Sequence, residues 1–418
     1  MMRYSGAMTS QTIVPAAWTE RGTPAFRRAS LALFLAGFST FSLLYCVQPL
    51  LPLLAGAFRL GAAESSLALS VSTGLLAISI FLAGAVSETV GRKTLMTASL
   101  CSAAVFNLMA SVAPTWPTLL VARALEGIAL GGAPAVAMAY VAEEIHPDGL
   151  GYAMGLYIGG TAFGGMAGRV VTGIAADLGG WRVAMAVIGV LGLTSAAGFT
   201  LLLPPSRNFV RKTGATAGYH LRAWGGHLRS PGLPWLFAIG FLVMGGFVTL
   251  YNYSGFRLTQ APYQLSQTQA GLIFLVYLFG MIASSSAGAL ADRLGRAPVM
   301  VAGIALFAAG LGLTLLSPLP AVIAGIAVVT AGFFMAHAVA SGWVGRLAIG
   351  AKGHAASLYL LSYYLGSSLM GSAGGWFWAK AGWSGVAGFV AVLLVLALVS
   401  ALRLGRLADT EPKTKSAS

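Results

Sequence analysis

Long apolar segments follow one another along nearly the whole chain, separated by short polar loops. Each is about 20 residues or longer, the length an α-helix needs to cross roughly 30 Å of hydrocarbon. Of the 418 residues, 57% are hydrophobic and only 9% are charged, too few charges to cover a soluble domain of this size. We therefore predict an all-α membrane protein with twelve transmembrane helices.

A short charged pattern occurs twice and indicates an internal duplication. The first copy, GAVSETVGRKTLM, starts at Gly84, and the second, GALADRLGRAPVM, starts at Gly288. Segments 151–181 and 353–383 are also similar to each other. Parallel repeats place a substrate site between two pseudo-symmetric six-helix halves. The predicted divisions are an N-terminal tail (1–28), a first half (29–204), a linker (205–232), a second half (233–404) and a C-terminal tail (405–418).

Lysine and arginine lie almost wholly on one side of the predicted membrane. If the N-terminus is cytoplasmic, the outer loops contain only Arg59, Arg182, Arg257 and Lys380. Positive residues favour the cytoplasmic side, so we predict a multi-pass protein of the bacterial inner membrane with both termini inside. This asymmetry accounts for the net charge of +14 without a nucleic-acid partner.

The motifs resemble those of a known transporter family over essentially the whole chain. The second charged copy resembles the loop signature of the major facilitator superfamily. The segment RALEG at 123–127, followed by Gly131, is similar to the fourth-helix motif of its drug:proton antiporter branch. The segments RGTPAF, LLYCVQPLLP, EEIHP and SLYLLSYYLGSS resemble YnfM-type inner-membrane transporters. The resemblance implies alternating access and proton-coupled efflux of small amphipathic compounds, drug-like or sugar-like, including multidrug antiport.

One departure from that branch leaves the direction of transport open, because the fifth helix has Gly159-Gly160 where antiporters commonly have Gly-Pro. The first charged copy also departs from the superfamily's loop signature, with Thr89 where the signature has arginine. The alternative is an importer or uniporter of a small sugar or organic anion. An intramembrane enzyme is not predicted, because the chain contains neither an HExxH nor a GxSxG motif.

Three ionisable residues inside predicted helices are candidates for proton coupling. Glu126 is the only carboxylate in a predicted span, and Arg123 lies three positions earlier on the same helix face. Charges are costly at this depth and often functional. The pair packs the first half, or Glu126 carries a proton with Arg123 as its partner, or the pair contacts the substrate directly. His337 is a packing histidine, a proton site or a substrate contact.

Aromatic and amide side chains are candidates for a substrate cavity, although packing or an interfacial aromatic belt would also explain them. Arg169 either extends to the interface or faces the cavity, where it would favour neutral or anionic substrates. The predicted cavity residues are Tyr45, Gln48, Tyr157, Arg169, Tyr251, Asn252, Tyr277, His337, Tyr359 and Tyr363.

The two charged copies are candidates for a cytoplasmic latch. An acid in each copy can lie against the N-terminus of a neighbouring helix and favour the outward-open state. The predicted latch residues are Gly84, Glu88, Gly91, Arg92, Lys93, Gly288, Asp292, Arg293, Gly295 and Arg296. Glycines 155, 159, 164 and 168 are expected to pack helices closely.

The predicted partners are few. We expect a small-molecule substrate, protons and the lipid bilayer, with the protein acting as a monomer. Cys46 and Cys101 both fall in apolar segments and are expected to be buried thiols, so neither a metal nor a cofactor is predicted.

Overall fold

The computed structural model describes residues 18–209 and 217–410, without the side chains of 84–89, 135, 217 and 408–410. Helices α1 to α7 form the N-terminal part: Pro24–Tyr45, Leu51–Phe58, Ala62–Val90, Arg92–Ser111, Trp116–Leu130, Gly132–Glu144 and Pro147–Leu202. Helix α8 is Ala217–Leu228. Helices α9 to α14 form the C-terminal part: Leu233–Thr259, Gln267–Leu272, Tyr277–Leu294, Arg296–Leu313, Leu319–Leu347 and Lys352–Thr410.

Local sequence signals set several helix ends. Thr23 caps α1 by accepting a hydrogen bond from the backbone N–H of Phe26, and α5 and α10 begin with capping boxes at Thr115 and Ser266. Gly91 and Gly295 separate α3 from α4 and α11 from α12, with φ of 97° and 92°. Only glycine adopts such angles readily, so both charged copies of the sequence pattern turn at their glycine.

The described residues contain ten helical segments long and apolar enough to cross a membrane. Two of them, Pro147–Leu202 and Lys352–Leu407, have 56 residues, and a straight helix of that length would measure about 84 Å. Each is interrupted by non-helical residues, at Gly179–Gly180 and at Ala381–Gly382. The all-α fold is confirmed. The count of twelve crossings stays a prediction, because the described residues contain ten such segments and two of these continue through an interruption.

The chain folds back at both interruptions. Phe377 and Phe389, on the two limbs of α14, stack with ring centroids 4.4 Å apart. In α7 the two limbs lie beside neighbouring positions of α1, because Ser42 donates a hydrogen bond to the carbonyl oxygen of Gly164 on one limb and Ser39 to that of Gly192 on the other. Each of the 56-residue segments is therefore a helical hairpin.

Glycine allows the first limb of α7 to contact α1 closely. A Cβ atom added at Gly160, Gly164 or Gly168 would collide with the backbone of α1. At Gly155 and Gly159 the same atom would meet nothing within 4 Å. The prediction of close packing was therefore wrong for Gly155 and Gly159, because the packed face follows a spacing of four residues through Gly160.

A similar contact joins α9 to α14 in the C-terminal part. A Cβ atom at Gly366 would collide with the backbone of Phe241. The Thr249 hydroxyl donates to the carbonyl oxygen of Met370 at 2.8 Å. The first helix of each part thus packs against a later glycine-containing helix of the same part. The predicted divisions of the chain stay a prediction, and 1–17, 210–216 and 411–418 lie outside the described residues.

The two parts contact each other mainly at one end of the bundle. We call the end with the Gly91 turn, the Gly295 turn and α8 the basic end, and the other the opposite end. At the opposite end, Ser372 donates to the Ser70 hydroxyl at 2.7 Å, and Ser368 donates to the Ser70 carbonyl at 2.7 Å. The Asp177 carboxylate there accepts hydrogen bonds from the first backbone N–H groups of α10.

Helix α8 joins the two parts at the basic end. Trp224 stacks on Phe81 of α3 with ring centroids 3.9 Å apart, and its indole N–H donates to Ser357 of α14 at 3.4 Å. His220 and His354 are hydrogen-bonded through ring nitrogens 2.8 Å apart. The segment predicted as a linker thus contains a helix that contacts both parts.

Candidate functional site

A cavity of about 410 Å³ lies between the two parts of the bundle. Helices α1 and α7 form one wall, and α9, α11, α13 and α14 form the other. Six of the ten predicted cavity residues line it, namely Tyr45, Gln48, Arg169, Tyr277, His337 and Tyr363. The volume is within the range of small-molecule sites, and most of the lining is apolar or aromatic, as in such sites generally.

Gln48 connects the two parts at the closed end of the cavity. Its amide N–H donates to Asn252 Oδ1 at 2.8 Å, and its Oε1 accepts from Arg169 Nε at 2.7 Å. Asn252 Nδ2 in turn donates to the carbonyl oxygen of Gly371 at 3.5 Å. This chain of hydrogen bonds joins α7, the short connection between α1 and α2 that contains Gln48, α9 and α14, and it closes the cavity toward the opposite end.

Arg169 lies at the closed end of the cavity and is only 3% exposed. Besides Gln48, its guanidinium donates from Nη1 to the carbonyl oxygen of Gly165 at 2.6 Å. Three rings surround it, with centroids 4.3, 4.9 and 5.1 Å from Cζ for Tyr45, Phe274 and Tyr277. The Arg169 side chain therefore faces the cavity, which is one of its two predicted positions, and does not extend to the membrane interface.

The four other predicted cavity residues lie behind the lining. Tyr251 shares a hydrogen bond of 2.7 Å with Thr330, and the Tyr359 hydroxyl is 2.9 Å from His337 Nδ1. The Tyr157 hydroxyl is buried without a hydrogen-bond partner among the described residues. With Asn252, which contacts Gln48, these residues lie outside the cavity lining.

His337 faces the cavity within an aromatic cluster. Its ring is parallel to that of Phe333, with centroids 5.8 Å apart, and lies 4.7 Å from Tyr363. Its hydrogen bond to Tyr359 orients the imidazole. The role of His337 in proton coupling stays a prediction.

Most of the apolar lining of the cavity was not predicted from the sequence. The unpredicted lining residues include Phe41, Phe247, Phe333, Phe334, Thr161, Ser284 and Ser341. Helical spacing around the predicted residues could have identified some of them, because Phe333 and Ser341 lie four positions before and after His337 and so share its helix face.

The Arg123–Glu126 pair lies inside the N-terminal part, away from the residues that line the cavity. Both side chains are 0% exposed, and Arg123 Nη1 donates to Glu126 Oε2 at 2.5 Å. The guanidinium also donates to the carbonyl oxygens of Leu43, Leu44 and Ala68 at 3.3, 2.7 and 2.9 Å. Glu126 Oε1 is buried without a partner among the described residues. The pair therefore joins α5 to α1 and α3, with one carboxylate oxygen unsatisfied.

The first predicted latch is an ion-pair network within the N-terminal part. Arg92 donates to both carboxylate oxygens of Glu143, at 3.1 Å from Nε and 2.7 Å from Nη2. Lys93 donates to the carbonyl oxygen of Leu203 at 2.6 Å. Gly84 and Glu88 fall in the stretch whose side chains lie outside the described part of the structure. Arg92 and Lys93 thus attach the Gly91 turn to the ends of α6 and α7.

The second predicted latch is more exposed. The Asp292 carboxylate is 3.5 Å from both Arg296 Nη2 and Arg346 Nη2, all within the C-terminal part. Arg293 and Gly288 are exposed. Asp292 therefore contacts neighbouring arginines in this conformation, and its predicted contact with the N-terminus of a helix stays a prediction.

Comparisons with known proteins identify the family. The Major Facilitator Superfamily model matches residues 33–260 and 254–418. Inner membrane transport protein YnfM of Escherichia coli (strain K12) is 48% identical over 94% of each chain. Uncharacterized MFS-type transporter YybF of Bacillus subtilis (strain 168) is 44% identical over 91% of this chain and 94% of its own.

Solved structures show the same fold at low sequence identity. A variant of the nucleoside transporter NupG superposes with a TM-score of 0.73 at 14% identity, covering 91% of this chain and 99% of that one. The helical bundle and the cavity between its two parts are consistent with these sequence and structural similarities. The chain belongs to the Major Facilitator Superfamily and is a multi-pass secondary transporter of the inner membrane, not an enzyme.

Proposed function

We propose that this transporter exports small amphipathic organic compounds by alternating access, in exchange for protons. The observation that carries the proposal is the cavity between the two parts, which combines aromatic walls with a small group of polar side chains. Such a lining suits a solute with an apolar body and one or two polar groups. The predicted halves would rock around this site to expose it alternately to each side.

The charge asymmetry supports an orientation with the basic end in the cytoplasm. In that orientation the contacts of Gln48, Ser70 and Asp177 close the outer side. Ile158, which lines the cavity nearer the basic end, is 58% exposed. A solute would therefore enter the cavity from the cytoplasm in this state, as the first step of export.

We infer that Glu126 carries the proton. Its Oε1 atom is buried and has no hydrogen-bond partner in the described part of the chain, while Oε2 is bound to Arg123. An unsatisfied carboxylate oxygen in a dry interior is costly, and a proton bound there would remove the charge. Arg123 would remain bound to carbonyl oxygens of α1 and α3 after protonation. Because Glu126 is fully buried here, proton exchange is assigned to another state of the cycle.

The proposal is tested with purified protein in liposomes under an imposed pH gradient. We expect gradient-driven transport of an aromatic test solute by the wild type and loss of coupling in Glu126→Gln, which keeps the size and polarity of the side chain. Glu64→Gln is the matched control, since Glu64 is exposed at the opposite end. Full coupling in Glu126→Gln would refute the proton assignment, and gradient-independent uptake into cells would favour the importer or uniporter.

A further inference from the structure

The charge of the cavity lining is unbalanced. Arg169 is the only permanently charged side chain among the described lining residues, which include neither aspartate nor glutamate. His337 is the other titratable nitrogen base that lines the cavity. A buried guanidinium without an acidic partner is costly, so its position beside open space requires an explanation.

The hydrogen bonds of Arg169 leave part of its guanidinium free. Nε donates to Gln48 and Nη1 donates to the Gly165 carbonyl oxygen, and no described residue accepts a hydrogen bond from Nη2. The side chain is 3% exposed, so it is buried but incompletely satisfied. Arginine presents its N–H groups in a planar fork that matches a carboxylate.

Arg123 provides a comparison within the same protein. It is also buried, and its guanidinium donates to Glu126 and to three carbonyl oxygens. Arg123 therefore has an acidic partner from its own chain, whereas Arg169 has none among the described residues and faces a cavity. The difference indicates that the partner of Arg169 comes from outside the protein.

Aromatic rings next to Arg169 define the rest of the site. Phe247 and Phe333 stack with centroids 3.8 Å apart and 11° between their planes, and both line the cavity. Phe41 and Phe334 add further ring surface. Rings of this kind bind flat apolar groups through burial of area and edge or face contacts.

We propose that the site binds an organic anion, a carboxylate on an apolar or aromatic body, with the carboxylate on Arg169 and the body against Phe247 and Phe333. This inference rests on the proposed transport function and specifies its substrate class. Gln48 holds the guanidinium toward the cavity, and the Tyr45 and Tyr277 rings keep water from its faces. Anion binding next to Gln48 would also affect the contact that closes the opposite end.

Binding to the purified full-length protein tests the substrate class directly. The probes are 2-naphthoate, benzoate and indole-3-acetate, each compared with its neutral amide and with the corresponding amine. Ligand-induced thermal stabilisation, followed by calorimetric titration, gives the affinity at neutral pH without any gradient. We expect at least one carboxylate to bind about tenfold more tightly than its amide, as a charge-assisted hydrogen bond predicts, and the amines to bind least.

Substitutions at Arg169 identify the group responsible. We expect Arg169→Gln to remove the preference for the carboxylate over the amide while amide binding persists. Arg169→Lys should keep the preference with weaker affinity, because lysine cannot form the bidentate contact. Arg182→Gln, a change to an exposed arginine at the opposite end, is the matched control and should bind as the wild type does.

Several results would overturn the proposal. They are equal or tighter binding of the amides or amines, no binding by any carboxylate probe, and an unchanged carboxylate preference in Arg169→Gln. If Arg169→Gln does not yield monodisperse protein, the comparison of Arg169→Lys with the wild type decides. These titrations are made without a pH gradient, so loss of the carboxylate preference is distinct from failure of proton coupling, which only the liposome assay with Glu126→Gln measures.

Discussion

Gln48, in the short connection between α1 and α2, and Asn252 of α9 are hydrogen-bonded at 2.8 Å across the two parts of the protein. Both side chains are buried, at 1% and 0% exposure. The bond lies where the cavity closes, and Gln48 also binds Arg169. The Gln48 amide therefore contacts both Asn252, which helps to close the opposite end, and Arg169, the charged residue of the cavity.

Removing this amide contact should shift the protein away from the observed conformation. We expect Asn252→Ala to weaken closure of the opposite end by about 0.5–1.5 kcal/mol, roughly a two- to tenfold change in the ratio of states. Distances between spin labels at positions 59 and 380, both at that end, would measure the change. An unaltered distance distribution would show that Gln48–Asn252 does not contribute to closure.

The Asp177 carboxylate is expected to stabilise the same closed end. It accepts hydrogen bonds from the N–H groups of Gln267 and Thr268 at 3.0 and 2.8 Å, which are otherwise unpaired at the start of α10. Asp177→Ala should destabilise the closed arrangement of the opposite end by about 1 kcal/mol. Asp177→Asn should destabilise it less, since the amide oxygen still accepts hydrogen bonds. The same spin-label pair tests this. A larger effect of asparagine than of alanine would contradict the capping interpretation.

Glycine packing between α1 and α7 should be sensitive at one face of α7 and tolerant at the other. Gly164→Ala places a methyl group against the backbone of Phe38 and should lower the unfolding temperature in detergent. Gly159→Ala meets open space and, through its better helix propensity, should leave the unfolding temperature unchanged or slightly raised. Equal effects of the two substitutions would be inconsistent with the observed face.

The Arg92–Glu143 pair should contribute to stability because it is bidentate and largely buried on the arginine side. The side chains are 7% and 30% exposed. Glu143→Ala removes both of these charged hydrogen bonds and should destabilise the protein by about 1–3 kcal/mol. Unfolding monitored in detergent would measure the loss. Glu20→Ala, a change to an exposed glutamate, is the control and should have little effect.

Several features of the site were predictable because they depend on charge. Glu126, Arg123 and Arg169 stand out in the sequence, since ionisable residues are rare in apolar segments. The structure shows Arg123 and Glu126 paired and outside the cavity lining, and the role of the pair in proton coupling stays a prediction. Spacing along one helix predicts that two residues share a face, and it does not tell which neighbouring helix that face contacts.

The aromatic residues were harder to assign. Tyr277 lines the cavity whereas Tyr251 lies behind it, bonded to Thr330. Both occur in similarly apolar segments, and nothing in either segment indicates which tyrosine lines the cavity and which lies behind the lining. Gly91 and Gly295, by contrast, lie in short charged loops between apolar helices, and both have the positive φ of a chain reversal, while their role in a latch stays a prediction.

The amino-acid sequence by itself determined the helical class, the internal similarity, the basic end and the rare charges within the apolar segments. Each depends on composition or spacing along the chain, which the physics of a bilayer strongly restricts. The tertiary structure alone decided that Arg169 faces the cavity, that Gln48 connects the two parts and that α7 packs through Gly160, not Gly159. Lipid tails are about as apolar as a helix interface, so hydrophobicity distinguishes these faces poorly, and only packing reveals them.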